Sequence, residues 1–166
     1  MGDLGELGLM HFRSVAVALV LLAAGRAACV AGSPEAGQFA ATARRAGLRV
    51  LEGEHLVLAT DRPERAGDGV ADLPRLFDAA FAEWCRHFGI DPAMHREWRA
   101  LACLMTDRER FRAAGLLPAS GAVPDFANGY CLGDRFWMMD QSSPAYRRHL
   151  LLHEGVHAFT LTLRQA

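Results

Sequence analysis

The chain has 166 residues, which is enough to bury the core of a single domain. Because 51% of the residues are hydrophobic and 22% are charged, the composition excludes an intrinsically disordered protein. A formal net charge of -1 without a long basic run excludes the charge pattern typical of nucleic-acid-binding proteins.

A short apolar segment near the N-terminus has the layout of a secretory signal peptide. Arg13 precedes an uninterrupted apolar run, 15–24, and small residues follow as far as Ala31. A basic start, an apolar run of this length and small residues at the cleavage site are typical of such peptides. The run is too short to form a stable membrane span. We therefore predict a signal peptide at 1–31, or one that starts at Met10, and export to the periplasm, the cell envelope or the medium.

The mature chain would retain three cysteines in an oxidising compartment. Cys85, Cys103 and Cys131 are an odd number of thiols, and their spacing fits no C-x-x-C metal or redox pattern. We predict buried thiols with one disulfide at most, and the sequence leaves the pairing open.

The first elements after the signal peptide are a lead-in and a hairpin. Residues 32–47 are rich in Ala and Gly, and we expect weak structure there. From Leu48 the pattern changes to two short apolar runs, 49–51 and 55–60, about Glu52-Gly53-Glu54. Such runs on either side of a glycine-containing turn predict a β-hairpin.

The clearest amphipathic helix follows. Asp72 is a candidate N-cap, Pro74 lies in the first turn and Gly89 ends the pattern. The apolar residues recur at helical spacing and form one aromatic face; they are Leu76, Phe77, Ala80, Phe81, Trp84, Cys85 and Phe88. We interpret this helix as scaffold, with its aromatic face in the core.

The remaining elements complete a mixed fold. The apolar run 100–105 predicts a buried strand, 107–114 a short helix, and 130–132 with 135–139 a second hairpin. A last helix begins at Ser142-Ser143-Pro144, which supplies a capping serine and a first-turn proline. This order predicts an α+β fold, a small mixed sheet packed on long helices.

The last helix contains a pattern associated with metal chemistry. His153 and His157 are four residues apart, so both imidazoles lie on one face and can reach a single ion. Glu154 lies about 100° round the helix, where its carboxylate can reach a water on that ion. The sequence therefore predicts a Zn²⁺ site with His153 and His157 as metal ligands and Glu154 as the catalytic residue. A zinc-bound water would attack a peptide carbonyl while Glu154 acts as general base.

The run from Arg148 to Phe159 resembles the active-site helix of the zincin metallopeptidases, most closely the gluzincins. It is also similar to exported bacterial proteins of unassigned function that carry H-E-G-x-H-A-F. The resemblance implies that 48–166 is a zincin-like catalytic domain, a hydrolase acting on a peptide or protein substrate. It also implies that the strand before the helix, 136–140, is a template for extended substrate.

The chain departs from this family where the third zinc ligand is expected. Gluzincins supply a glutamate from a later helix, but 158–166 contains no Asp, Glu, His or Cys. Thr160 and Leu163 stand where metzincins have Gly and His. We therefore expect a C-terminally truncated domain whose third ligand is absent from this chain. His149 lies one turn before His153, and about 12 Å along the axis from His157, too far to share the ion easily.

Four charged residues near the motif have predicted positions or contacts. Asp134 and Asp140 are candidate hydrogen-bond partners for a ligand histidine, and Arg147 and Arg148 are expected to form a solvated face. With no further subdomain to cover it, the last helix is expected to expose apolar surface over 150–163 and to leave the protein marginally stable.

Three functions remain open on this sequence. The first is an exported zinc-dependent peptidase. The second is a catalytically inactive zincin-like fragment that acts as a binding or structural module. The third is a zinc site completed by another chain. The first and second differ in whether Glu154 is needed for hydrolysis.

Overall fold

The computed structural model describes residues 33–118 and 124–164. The predicted signal peptide lies outside these residues. In chain order the elements are α1 (Pro34–Arg45), β1 (Arg49–Glu52), β2 (Leu56–Thr60), α2 (Leu73–Phe88), a 3-10 turn (Pro92–His95), β3 (Ala100–Met105), α3 (Arg108–Ala113), β4 (Gly129–Leu132), β5 (Arg135–Met139) and α4 (Pro144–Leu163). Both predicted hairpins, the buried strand, the short helix and both long helices are confirmed.

The strands form one mixed five-stranded sheet in the order β1-β2-β3-β5-β4. The three central strands β2, β3 and β5 run parallel, and β1 and β4 pair antiparallel at the two edges. All residues of β2 and β3 are buried, as expected for parallel strands covered on both faces. The α+β class and the mixed sheet are confirmed.

Helices cover both faces of the sheet. Alternate residues of a strand point to opposite faces, so Leu101 and Cys103 pack with α1 and α3 while Ala102 and Leu104 pack with α2 and α4. The motif helix α4 therefore shares its layer with the aromatic helix α2. This layer contains the candidate site.

Helix α1 occupies the segment for which we expected weak structure, and that expectation is wrong. The Ser33 hydroxyl accepts a hydrogen bond from the Ala36 N–H at 3.2 Å and caps the helix. Phe39, Ala40 and Ala43 are buried against the sheet. Since alanine is the best helix former, an Ala-rich stretch needs few large apolar residues to make a packed helix.

The expected exposure of apolar surface on α4 is also wrong for most of its length. Leu150, Leu151, Ala158 and Phe159 are all buried, while Leu161 is 44% exposed. The aromatic face of α2 and the sheet cover the helix, so no further subdomain is needed to bury these side chains.

All three described cysteines are free thiols. Cys85 and Cys103 are buried and Cys131 is half-buried. Burial raises the pKa of the Cys103 thiol far above its ordinary value. No helix within residues 33–118 and 124–164 is long and apolar enough to cross a membrane.

Candidate metal centre

Helix α4 starts with a well-formed cap and carries the motif in its second half. The Ser143 hydroxyl accepts a hydrogen bond from the Tyr146 N–H at 3.3 Å, and Pro144 occupies the first turn. Leu151 and Gly155 face the sheet and α2, and both are buried. This orientation determines which motif side chains reach solvent.

The two histidines of the motif lie side by side on the exposed face of α4. The ring centroids of His153 and His157 are 4.8 Å apart, and the rings are nearly perpendicular at 86°. Both residues are exposed. Two solvent-facing imidazoles at this spacing can bind one ion together.

Glu154 lies on a different side of α4, against β4. It is 6% exposed, and its carboxylate lies directly against Gly129, where a β-carbon would be 2.5 Å from Oε1. Burial raises the pKa of Glu154, and the neighbouring His153 and His157 offset part of this effect. A raised pKa makes the carboxylate a stronger proton acceptor, as a general base requires.

The third histidine of α4, His149, lies beside His153 but is not part of the pair formed by His153 and His157. His149 stacks on His153 with ring centroids 6.2 Å apart, and Tyr146 lies 6.1 Å from His149. In the part of the chain that the structure describes, no three His, Cys, Asp or Glu residues lie close enough to hold a metal ion together. A catalytic zinc ion takes three protein ligands, so the described residues fit two of them.

The two aspartates considered as partners for the histidines lie elsewhere. Asp140 accepts hydrogen bonds from Arg147, at 2.7 Å, and from Arg62. Asp134 is half-buried in the β4–β5 turn, where burial and then the charge of Glu35 raise its pKa. Neither prediction is supported.

The expectation of a solvated Arg147 is wrong, because this side chain is only 3% exposed. The chain turns sharply from β5 into α4, and this turn brings Asp140 and Gln141 against the first turns of the helix. Arg148 is exposed, as predicted.

The strand predicted to be a template for extended substrate, β5, does not lie at an edge of the sheet. β5 lies inside the sheet, paired with β3 on one side and β4 on the other, so its backbone groups are already used. β4 is the edge strand, and its residue Gly129 contacts Glu154. Sequence reasoning missed Gly129, although a glycine at a strand start often marks a close approach of another group.

Comparison of the chain with protein-family models, with curated proteins and with solved structures found no match. The candidate centre therefore depends on the residues themselves: a pair of exposed imidazoles and a buried carboxylate on one helix, beside an edge strand.

Proposed function

We propose that this chain carries part of the active site of an exported, zincin-like metallopeptidase that uses Zn²⁺. One observation carries the proposal: within a single stretch of α4, His153 and His157 face solvent while Glu154 is buried against β4. The two imidazoles supply two of the three protein ligands of a catalytic zinc ion, and the separate carboxylate supplies the general base.

The roles of the residues follow from their positions. His153 and His157 would hold the ion, and the third ligand would come from outside the described residues. When bound, zinc supplies an acidified water and polarises the carbonyl of the scissile bond. Glu154 would accept the proton of the attacking water and pass it to the leaving amine.

The substrate class is inferred from the position of β4 at the edge of the described sheet. An edge strand presents unpaired N–H and C=O groups to which an extended peptide can add as a further strand. Because Gly129 of β4 contacts Glu154, a peptide bound along this edge would place its backbone beside the proposed base. This arrangement favours a peptide or protein substrate.

Zinc binding and hydrolysis should be measured separately. Zinc binding would be measured by elemental analysis and calorimetry. We expect the wild-type protein to bind zinc, and the variants His153→Ala and His157→Ala to lose this binding. Glu154→Gln should keep the zinc and lose casein hydrolysis. Glu83→Gln, an exposed position on α2, is the matched control and should behave as wild type.

Each result separates the alternatives. Hydrolysis that is unchanged in Glu154→Gln would rule out the proposed base. Zinc binding without hydrolysis in the wild-type protein would favour a binding or structural module. A zinc-dependent doubling of mass in solution would favour a site completed by a second chain.

A further inference from the structure

A largely buried group of charges lies at the start of α4, at the end of the sheet where β2 and β5 finish. It consists of Arg62, Asp68, Asp140 and Arg147, and we call it the charge cluster. Their side chains are between 3% and 16% exposed. Two positive and two negative charges balance there, as buried ions require.

Arg147 is the member of the charge cluster that belongs to α4, and it contacts three separate acceptors. Its Nε donates to Asp140 Oδ1 at 2.7 Å, Nη1 to the Asp68 carbonyl at 2.8 Å, and Nη2 to the Gln141 carbonyl at 2.8 Å. One planar guanidinium therefore joins the first turns of α4 to the loop after β2 and to the segment after β5.

The position of Arg147 relates it directly to Glu154. The two residues are seven apart, so they lie on the same face of the helix, about 10 Å along its axis. Arg147 therefore ties the first turns of α4 to the sheet end on the same helix face that carries Glu154, whose carboxylate lies against Gly129. Salt bridges on the surface would not hold a helix in this way, since exposed pairs contribute little.

We propose that Arg147 is a positioning residue, which holds α4 in the rotation that seats Glu154 against β4. Its catalytic consequence depends on the function proposed above. The seating of α4 on β4 does not depend on that function and can be measured without metal.

Cys131 provides a reporter within the protein itself. It lies on β4 two residues after Gly129, so it points to the same face of the sheet, and it packs against the cluster that includes α4. The thiol is half-buried and is close enough to feel the charge of Glu154. A loosened α4 would expose it, whereas Cys103 is buried on the other face of the sheet, with α1 and α3.

The experiment compares two substitutions of the same chemistry. Arg147→Lys keeps the charge but cannot reach all three acceptors, because an ammonium group lacks the planar fork of arginine. Arg62→Lys is the matched control, since Arg62 belongs to the charge cluster but not to α4. The rate of reaction with a soluble disulfide reagent would be measured at each cysteine by mass spectrometry.

For Arg147→Lys we expect Cys131 to react roughly tenfold faster while Cys103 stays within about twofold of wild type. In Arg62→Lys the reaction rate of Cys131 should also stay within about twofold of wild type. An unchanged Cys131 rate in Arg147→Lys would overturn the proposal. A parallel increase at Cys103 would also overturn it, because it would mean general unfolding. Arg147→Met provides a stronger second variant for the same measurement.

Activity then tests the catalytic consequence. In a zinc-binding, casein-cleaving wild-type protein, Arg147→Lys should lower kcat several-fold while the affinity for zinc is unchanged, because His153 and His157 are spaced by the helix itself. A wild-type protein that binds no zinc would remove the proposed function and leave the labelling result valid. Unchanged kcat would overturn the role of Arg147 in positioning Glu154.

Discussion

Gly155 of α4 lies directly against Phe77 of α2. A β-carbon at position 155 would be 2.5 Å from Cε2 of Phe77 and 3.0 Å from Cη2 of Trp84. The middle residue of the motif is therefore a glycine because two helices meet there. Its role in the structure is to let α4 pack closely against α2.

Gly155→Ala should destabilise the protein although alanine favours helices. The overpacking against Phe77 costs about 1–3 kcal/mol, which outweighs the roughly 1 kcal/mol gained from helix propensity. Denaturant unfolding measures the difference. Gly37→Ala in α1 is the control, since nothing lies within 4 Å of its β-carbon. That variant should be stabilised by roughly 0.5–1 kcal/mol; equal changes at both positions would contradict the packing explanation.

Gly129→Ala should lower the activity and leave the stability nearly unchanged, whereas Gly155→Ala lowers the stability. The added β-carbon meets the Glu154 side chain from Oε1, at 2.5 Å, back to Cγ, at 2.9 Å, and this flexible side chain can move away. We expect unfolding free energies within about 1 kcal/mol of wild type. Casein hydrolysis should fall by roughly tenfold or more, because a small displacement of a catalytic group is costly. Full activity in this variant would show that the contact between Gly129 and Glu154 is not needed.

Asp78→Ala should loosen the β1–β2 turn from α2. The carboxylate of Asp78 accepts hydrogen bonds from the Glu54 N–H at 2.9 Å and the His55 N–H at 2.8 Å. Leaving these two N–H groups without an acceptor should lower the free energy of unfolding by about 1–3 kcal/mol. Thermal unfolding tests this, with Asp72→Ala as control, because Asp72 stands at the N-cap of α2 without a side-chain hydrogen bond. An equal loss in both variants would refute the special role of Asp78.

Asp134→Asn should make the protein more stable at neutral pH. The pKa of Asp134 is raised in the folded protein, by burial first and by Glu35 second. Folding therefore favours its protonated form, and the associated stability is lost as the pH rises through the folded pKa. Asparagine has no charge to bury. The higher unfolding free energy of the variant should be present at pH 7. It should disappear below about pH 4, where the Asp134 carboxyl is protonated in the unfolded wild-type chain as well. Urea unfolding at several pH values measures it, and a pH-independent difference would contradict this cause.

Local patterns in the sequence determined most of the secondary structure. The strand at 100–105 is one continuous apolar run, and the aromatic residues of α2 recur at helical spacing, so each can be recognised without its neighbours. The same holds for α4, whose cap at Ser143 and whose row of histidines depend only on nearby residues. Helix α1 was missed because small alanines give little periodic contrast.

Tertiary contacts decided what the motif faces. The sequence places His153, Glu154 and His157 on one helix, but only the packing of α4 turns the histidines to solvent and the carboxylate towards Gly129. The position of β4 at the edge depends on the pairing of β5 with β3, and the paired residues of these two strands are more than 30 positions apart in the sequence. The burial of Arg147 likewise depends on distant acceptors such as Asp68. Periodicity along the chain specifies elements because it is local, whereas a site is formed by residues that meet only after the elements have packed.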